Sequence, residues 1–147
     1  MRISLYPVFT NACGEIQGSW YYPAYPPSIE AGAKLQIPGV KLFSDGGTCN
    51  VPAVSFEYGG GFGHGDLYFE PQELAEMILD IQDKGYQVAV HALGDRAVDA
   101  SLDALEIVLD GGSNTYRHRI EHNAIIRDET ISRYSEVQPV GTIIGHF

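Results

Sequence analysis

An α/β fold built on a parallel sheet is what this chain of 147 residues predicts, and two patterns predict it. Short runs rich in β-branched and aromatic residues alternate with segments whose apolar residues recur every three to four positions. Strands that alternate with amphipathic helices require right-handed crossovers, which set the strands parallel. Chemistry-bearing side chains stand at the ends of the strand-like runs, where parallel α/β folds collect their sites.

The elements follow in order. "ISLYPVF" (3–9) alternates and predicts a strand, weakened at Pro7, which has no N–H to donate. Residues 10–38, with "SWYYPAYPP" at their centre, have no period and predict a loop or short helix packed by its own aromatics. A compact apolar strand at 40–43 lies in "GVKLFSDGG" and closes on a turn. Residues 46–69 hold seven glycines and predict one long surface loop, of the kind that commonly serves an active site. In "EPQELAEMILDIQDKG", Pro71 suits the first helical position and Gly85 the stop, with Leu74, Met77, Ile78 and Ile81 forming one stripe. A strand at 87–92 leads into a helix with Val98, Leu102, Leu105 and Leu109 on one face and Asp99, Asp103 and Glu106 outward. "RHRIEHN" (117–123) predicts another strand, and 128–136 a helix with Ile131 and Tyr134 inward. "VGTIIGHF" (140–147) predicts the last strand.

Composition bounds the function. A hydrophobic content of 44% with 19% charged residues fits one globular domain. The formal charge of −10, with no Lys/Arg patch, argues against nucleic acid and anionic membrane as partners. No apolar run reaches membrane-spanning length, and Met1 to Phe9 is too short and mixed for a signal peptide, so a cytoplasmic protein is expected. Cys13 and Cys49 lie 36 residues apart without a C-x-x-C, and two reduced thiols are expected.

Three polar groups interrupt the apolar strands: Lys41 inside "GVKLF", His91 closing "QVAVH" and His122 closing "RHRIEH". The two histidines are 31 residues apart, about one βα unit, so both should emerge on the same rim. A single histidine at a strand end is more often structural than ligating, and a lone lysine can snorkel to water. A lysine flanked by Val40, Leu42 and Phe43 is harder to dismiss. Burying an unpaired ammonium costs several kcal/mol, so it must find a partner or lose its proton. Such an amine beside two imidazoles suits a metal. Other motifs fail: there is no G-x-S-x-G and no P-loop, and "GGGFGHGD" opens no helix. His118 and His122 have helical zinc spacing in a segment that reads as strand. Asp45, Glu121 and Asp95 are acids near the same rim, and Asp95 suits a helix cap or a support to a site as well as a proton carrier.

Taken together, "VKLFSDG", "HALGDRAVDASLDALE" and "RHRIEHN", in that order and spacing, resemble the amidohydrolase superfamily, in particular the branch of N-substituted formamide deformylases. The resemblance covers roughly 39–147, with 1–38 matching the preceding strand and loop. It implies an incomplete (β/α)8 TIM barrel, roughly strands three to seven. It also implies one or two divalent metals, zinc above all, at the C-terminal mouth. Lys41, which such enzymes often carry as a carbamate, His91 and His122 are the implied ligands, and metal-activated water would attack an amide-type C–N bond of a small molecule. The family's H-x-H and its strand-eight aspartate, which is ligand and general base, do not occur in these residues. Weak or absent hydrolysis by the chain alone is therefore expected, as is self-association as a dimer through open sheet edges. His146, at the end of the last strand, would face the same mouth. The alternative is a non-catalytic remnant or binding module that keeps the scaffold and a vestigial metal site.

Overall fold

The computed structural model describes residues 1–144. It is a segment of a (β/α)8 barrel. Four parallel strands lie in sequence order, β3 (Gly39–Phe43), β4 (Gln87–Ala92), β5 (Arg119–His122) and β6 (Val140–Gly141), following the short pair β1 (Ile3–Ser4) and β2 (Leu35–Gln36). Helices α1 (Pro71–Asp83), α2 (Asp95–Leu109) and α3 (Asp128–Val137) make the crossovers. Neighbours in the sheet are neighbours in sequence, as βαβ units require.

The register divides the side chains by face. Lys41 pairs with Ala89, Phe43 with His91, and His91 with Glu121, so these residues share the face that lines the barrel interior. Val40, Leu42, Val88, Val90 and Ile120 take the opposite face and are fully buried. There they meet Leu74, Ile78 and Ile81 of α1 and Val98, Leu102 and Leu105 of α2 in one core. Helix α1 begins with Pro71 in its first turn, behind a reciprocal capping box between Glu70 and Glu73.

Three expectations are corrected. The 3–9 segment is regular strand only at Ile3–Ser4, although Val8 bridges to Lys41 and Lys41 N donates to Pro7 O at 2.8 Å. Pro7 and Pro38 interrupt what would otherwise be one ladder. Cys13 and Cys49 form a disulfide, with Cα atoms 5.3 Å apart. The loops that carry them meet where Tyr68 OH donates to Ala12 O at 3.1 Å, a tertiary proximity that cysteine spacing does not encode. Ile131 is exposed rather than inward; α3 buries Thr130 and Val137 and lies on α2 largely through charge. Arg133 donates to Asp103 at 2.6 Å and to Glu106 at 2.7 Å, and Arg127 binds Asp99.

The aromatic stretch packs on itself as expected. Tyr21 is buried edge-on to Tyr86 and Trp20, and the Trp20 indole donates to Val8 O at 2.9 Å. The 46–69 loop has one 3-10 turn at Gly59–Gly61, but it is not wholly on the surface, since Ala53 and Val54 are fully buried. Among the described residues no helix is long and apolar enough to cross a membrane.

Candidate metal centre

His91 is the next-to-last residue of β4, which ends on Ala92, and the turn Leu93-Gly94 then starts α2. His91 is buried, and its Nε2 lies 3.0 Å from Gly46 O and 3.4 Å from an Asp45 carboxylate oxygen. Both neighbours are acceptors, so Nε2 carries the proton and donates to Gly46 O. The lone pair is then on Nδ1. Gly47 leaves room for Leu93 beside this ring. A Cβ there would lie 2.3 Å from a Leu93 methyl carbon and 3.6 Å from His91 Cε1, and its φ of +138° is one that L side chains rarely adopt.

His122 reaches the same place by a different route. Strand alternation alone would send it to the helix side with Ile120. Two successive left-handed residues, His122 (φ 82°) and Asn123 (φ 48°), turn the chain instead. Such conformations cost about 1 kcal/mol or more each and persist only where the surroundings enforce them. Asn123 is the enforcer: its amide donates to Ile120 O at 3.0 Å and Thr142 O at 2.8 Å, and its carbonyl oxygen accepts from Tyr134 OH. The His91 and His122 rings end up edge to face, centroids 4.6 Å apart. Burial holds the His122 imidazole below its ordinary pKa, and the nearby His91 and Lys41 add to the effect.

Lys41 occupies the same interior face, its Nζ 5.3 Å from the centroid of the Phe43 ring, which in turn lies 4.8 Å from that of His91. It is not a free amine. Lys41 is ion-paired with Glu121, whose other oxygen takes Arg119. Burial lowers the Lys41 pKa against the pull of this shared carboxylate. Burial raises that of Glu121, but two cations outweigh it and leave the carboxyl below its usual range. The pairing of Lys41 with Glu121 could not be read from spacing, because it joins residues 80 apart.

The other candidate residues serve elsewhere or fall outside. Asp95 is buried and accepts from Ser55 N (2.8 Å) and Ser55 Oγ (2.5 Å), tying the glycine-rich loop to α2. The N-cap of α2 is Gly94, so the capping alternative for Asp95 does not hold. His118 is at the opposite end of its strand, buried, with Nδ1 accepting from Val88 N at 3.0 Å. It is structural. His146 lies outside the described residues.

Does this donor set suit a metal ion? Two imidazoles from adjacent strands meet at the strand ends, one with its outer nitrogen already committed, which is how ligating histidines are usually aimed. That half fits. Lys41 becomes a third donor only on leaving Glu121. Among the described residues no group of three or more His, Cys, Asp or Glu is gathered to hold an ion.

Comparison with known proteins bears on the family and the fold. A model described as "Amidohydrolase family" matches residues 16–143. The Arabidopsis thaliana protein LONG AFTER FAR-RED 3 is 30% identical over 112 residues, 74% of this chain and 19% of that protein. Two crystal structures of uncharacterized metal-dependent hydrolases superpose with a TM-score of 0.68 over 84% of this chain. The one from Pyrococcus furiosus is 34% identical and the one from Pyrococcus horikoshii OT3 30%. The chain spans about a fifth of the plant protein and about a quarter of each hydrolase.

Proposed function

Because this chain belongs to the amidohydrolase family, we propose that it supplies part of the metal centre of a hydrolase acting on amide-type C–N bonds of small molecules. One observation carries the reading: His91 and His122, from adjacent strands, meet at the rim with Lys41 on the same interior face. The likeness to two metal-dependent hydrolases from Pyrococcus supports the metal. His91 through Nδ1 and His122 would hold it, with zinc the natural ion for imidazole donors. Lys41, once released from Glu121, would add a third donor, as the free amine or as the carbamate formed when that amine adds carbon dioxide and loses a proton. When bound, such an ion supplies the Lewis acidity that makes water nucleophilic at neutral pH. The residues of this chain then position it: Gly46 O aims His91, the Asn123 turn aims His122, and Glu121 holds Lys41 in place meanwhile. The formamide deformylase-like branch is the proposed neighbourhood within the family.

Equilibrium dialysis against zinc tests this. The parent chain should bind zinc, and His91→Ala or His122→Ala should weaken binding by more than the roughly 10- to 100-fold that loss of an outer-shell partner costs. Unchanged binding in both variants would end the reading. The Glu121 clasp favours a second one, a scaffold whose third ligand is permanently engaged. Lys41→Ala separates the two, since loss of zinc in that variant supports a working centre and retention supports the vestigial one. Self-association through the outer strands of the sheet is proposed alongside. Light scattering should report more than one chain per particle, and a strictly monomeric species would refute it.

A further inference from the structure

We propose that Asp45 is a positioning residue that fixes the tautomer and the aim of His91. The idea deepens the metal reading and rests on it only for the use made of Nδ1. The Asp45 side chain has no exposed surface. Its carboxylate accepts three backbone N–H groups: Leu93 N at 3.0 Å on one oxygen, Ala53 N at 3.1 Å and Gly94 N at 2.8 Å on the other. These donors come from the glycine-rich loop and from the turn after β4, so one side chain sets the spacing of two mouth loops. The oxygen that takes Leu93 N also lies 3.4 Å from His91 Nε2.

The next carbonyl along, Gly46 O, is the direct acceptor of His91 Nε2 at 3.0 Å. Asp45 therefore acts on the imidazole twice. Its carboxylate makes the surroundings of Nε2 negative, and its anchoring of the backbone presents Gly46 O to the ring. Only a protonated Nε2 suits two oxygens at once; a lone pair there would face both. The consequence is a single neutral tautomer with Nδ1 unprotonated. Loop anchoring alone would not specify which nitrogen holds the proton.

Long-range 1H–15N correlation spectra of the 15N-labelled chain, at a pH where both imidazoles are neutral, read this directly. In the parent, His91 should show Nε2 protonated and Nδ1 bare. His118 is an internal standard with the same pattern, enforced by Val88 N at Nδ1 and by Gln82 Oε1 at 2.8 Å from Nε2. In Asp45→Asn, an NH2 replaces one acceptor amid donors. The His91 pattern should become mixed or reversed while His118 keeps its own, and zinc affinity should fall about 10- to 100-fold. Asp95→Asn removes the other buried carboxylate that holds the glycine-rich loop, from the start of α2 and without touching His91; it should cost stability and leave the pattern alone.

A parent His91 protonated on Nδ1 overturns the proposal, as does an Asp45→Asn chain with an unaltered pattern or an equal change in Asp95→Asn. Should Asp45→Asn fail to fold, the parent's tautomer decides. A parent that shows the expected tautomer but binds no zinc sinks the metal reading and leaves the positioning role standing. The reverse tautomer with zinc bound sinks the positioning role alone.

Discussion

Gly94→Ala is expected to melt about 10 °C below the parent. Gly94 has an ordinary φ of −82°, so the constraint is contact and not backbone strain. A Cβ there would lie 1.9 Å from Ala53 O, 2.4 Å from Ala53 C and 2.9 Å from Ala53 N, all backbone atoms that cannot swing aside. Ala53 is itself pinned, since its N–H donates to Asp45 and its carbonyl accepts Arg96 N at 3.2 Å. Forcing a methyl into a packed site costs typically 1–3 kcal/mol and occasionally more, and this overlap is severe, so about 3 kcal/mol is expected. At roughly 2–4 °C per kcal/mol for a domain of this size, the shift follows. Gly59→Ala is the control, because a Cβ there meets nothing within 4 Å. Thermal melts followed by circular dichroism suffice. A Gly94→Ala chain that melts with the Gly59→Ala chain would refute the close approach.

His118 is expected to make the chain sensitive to acid. Burial takes its pKa from 6.5 down to about 4, because the neutral ring has both nitrogens engaged and no water to solvate a charge. In the unfolded chain the ring titrates near 6.5. Between those values the unfolded state binds a proton that the folded state does not, so stability rises with pH across the interval. The contribution is complete above about 6.5 and is lost progressively as pH falls towards about 4. Going from pH 7 to pH 5 should remove roughly 2 kcal/mol through this residue. His118→Ala should cost about 2–4 kcal/mol at pH 7, because it leaves Val88 N and Gln82 without partners in a buried site. It should also flatten the decline between pH 7 and 5. Urea denaturation at the two pH values checks both statements, and an identical acid decline in the variant would remove His118 from the account.

The sheet order and the helices were legible because their signals are local and repeated. Pro71 and the Leu74–Ile78–Ile81 stripe place α1, and the switch from "QVAVHA" to the Val98–Leu102–Leu105 period places β4 and α2. The nearness of His91 and His122 was legible too, since strand ends in successive βα units share a rim. What escaped reading is what depends on contacts between distant segments. The Cys13–Cys49 link, the claim of Glu121 on Lys41 and the three backbone donors around Asp45 join loops whose meeting has no sequence period. The left-handed pair at His122-Asn123 was missed because a strand of alternating residues gives no sign of where its last side chain is swung round. An asparagine directly after the histidine was the one available hint, as asparagine tolerates that conformation better than most residues.

The arginine clasp between α3 and α2 makes electrolyte act with opposite signs on different parts of the molecule. A chain of net charge −10 repels itself, and added salt relieves that repulsion throughout. The same ions screen Arg127 from Asp99, and Arg133 from Asp103 and Glu106, over a Debye length of about 8 Å at physiological strength. Rising salinity thus tightens the oily centre formed by β4, α1 and α2 while it loosens α3, whose own apolar anchorage is Val137 and the half-buried Tyr134.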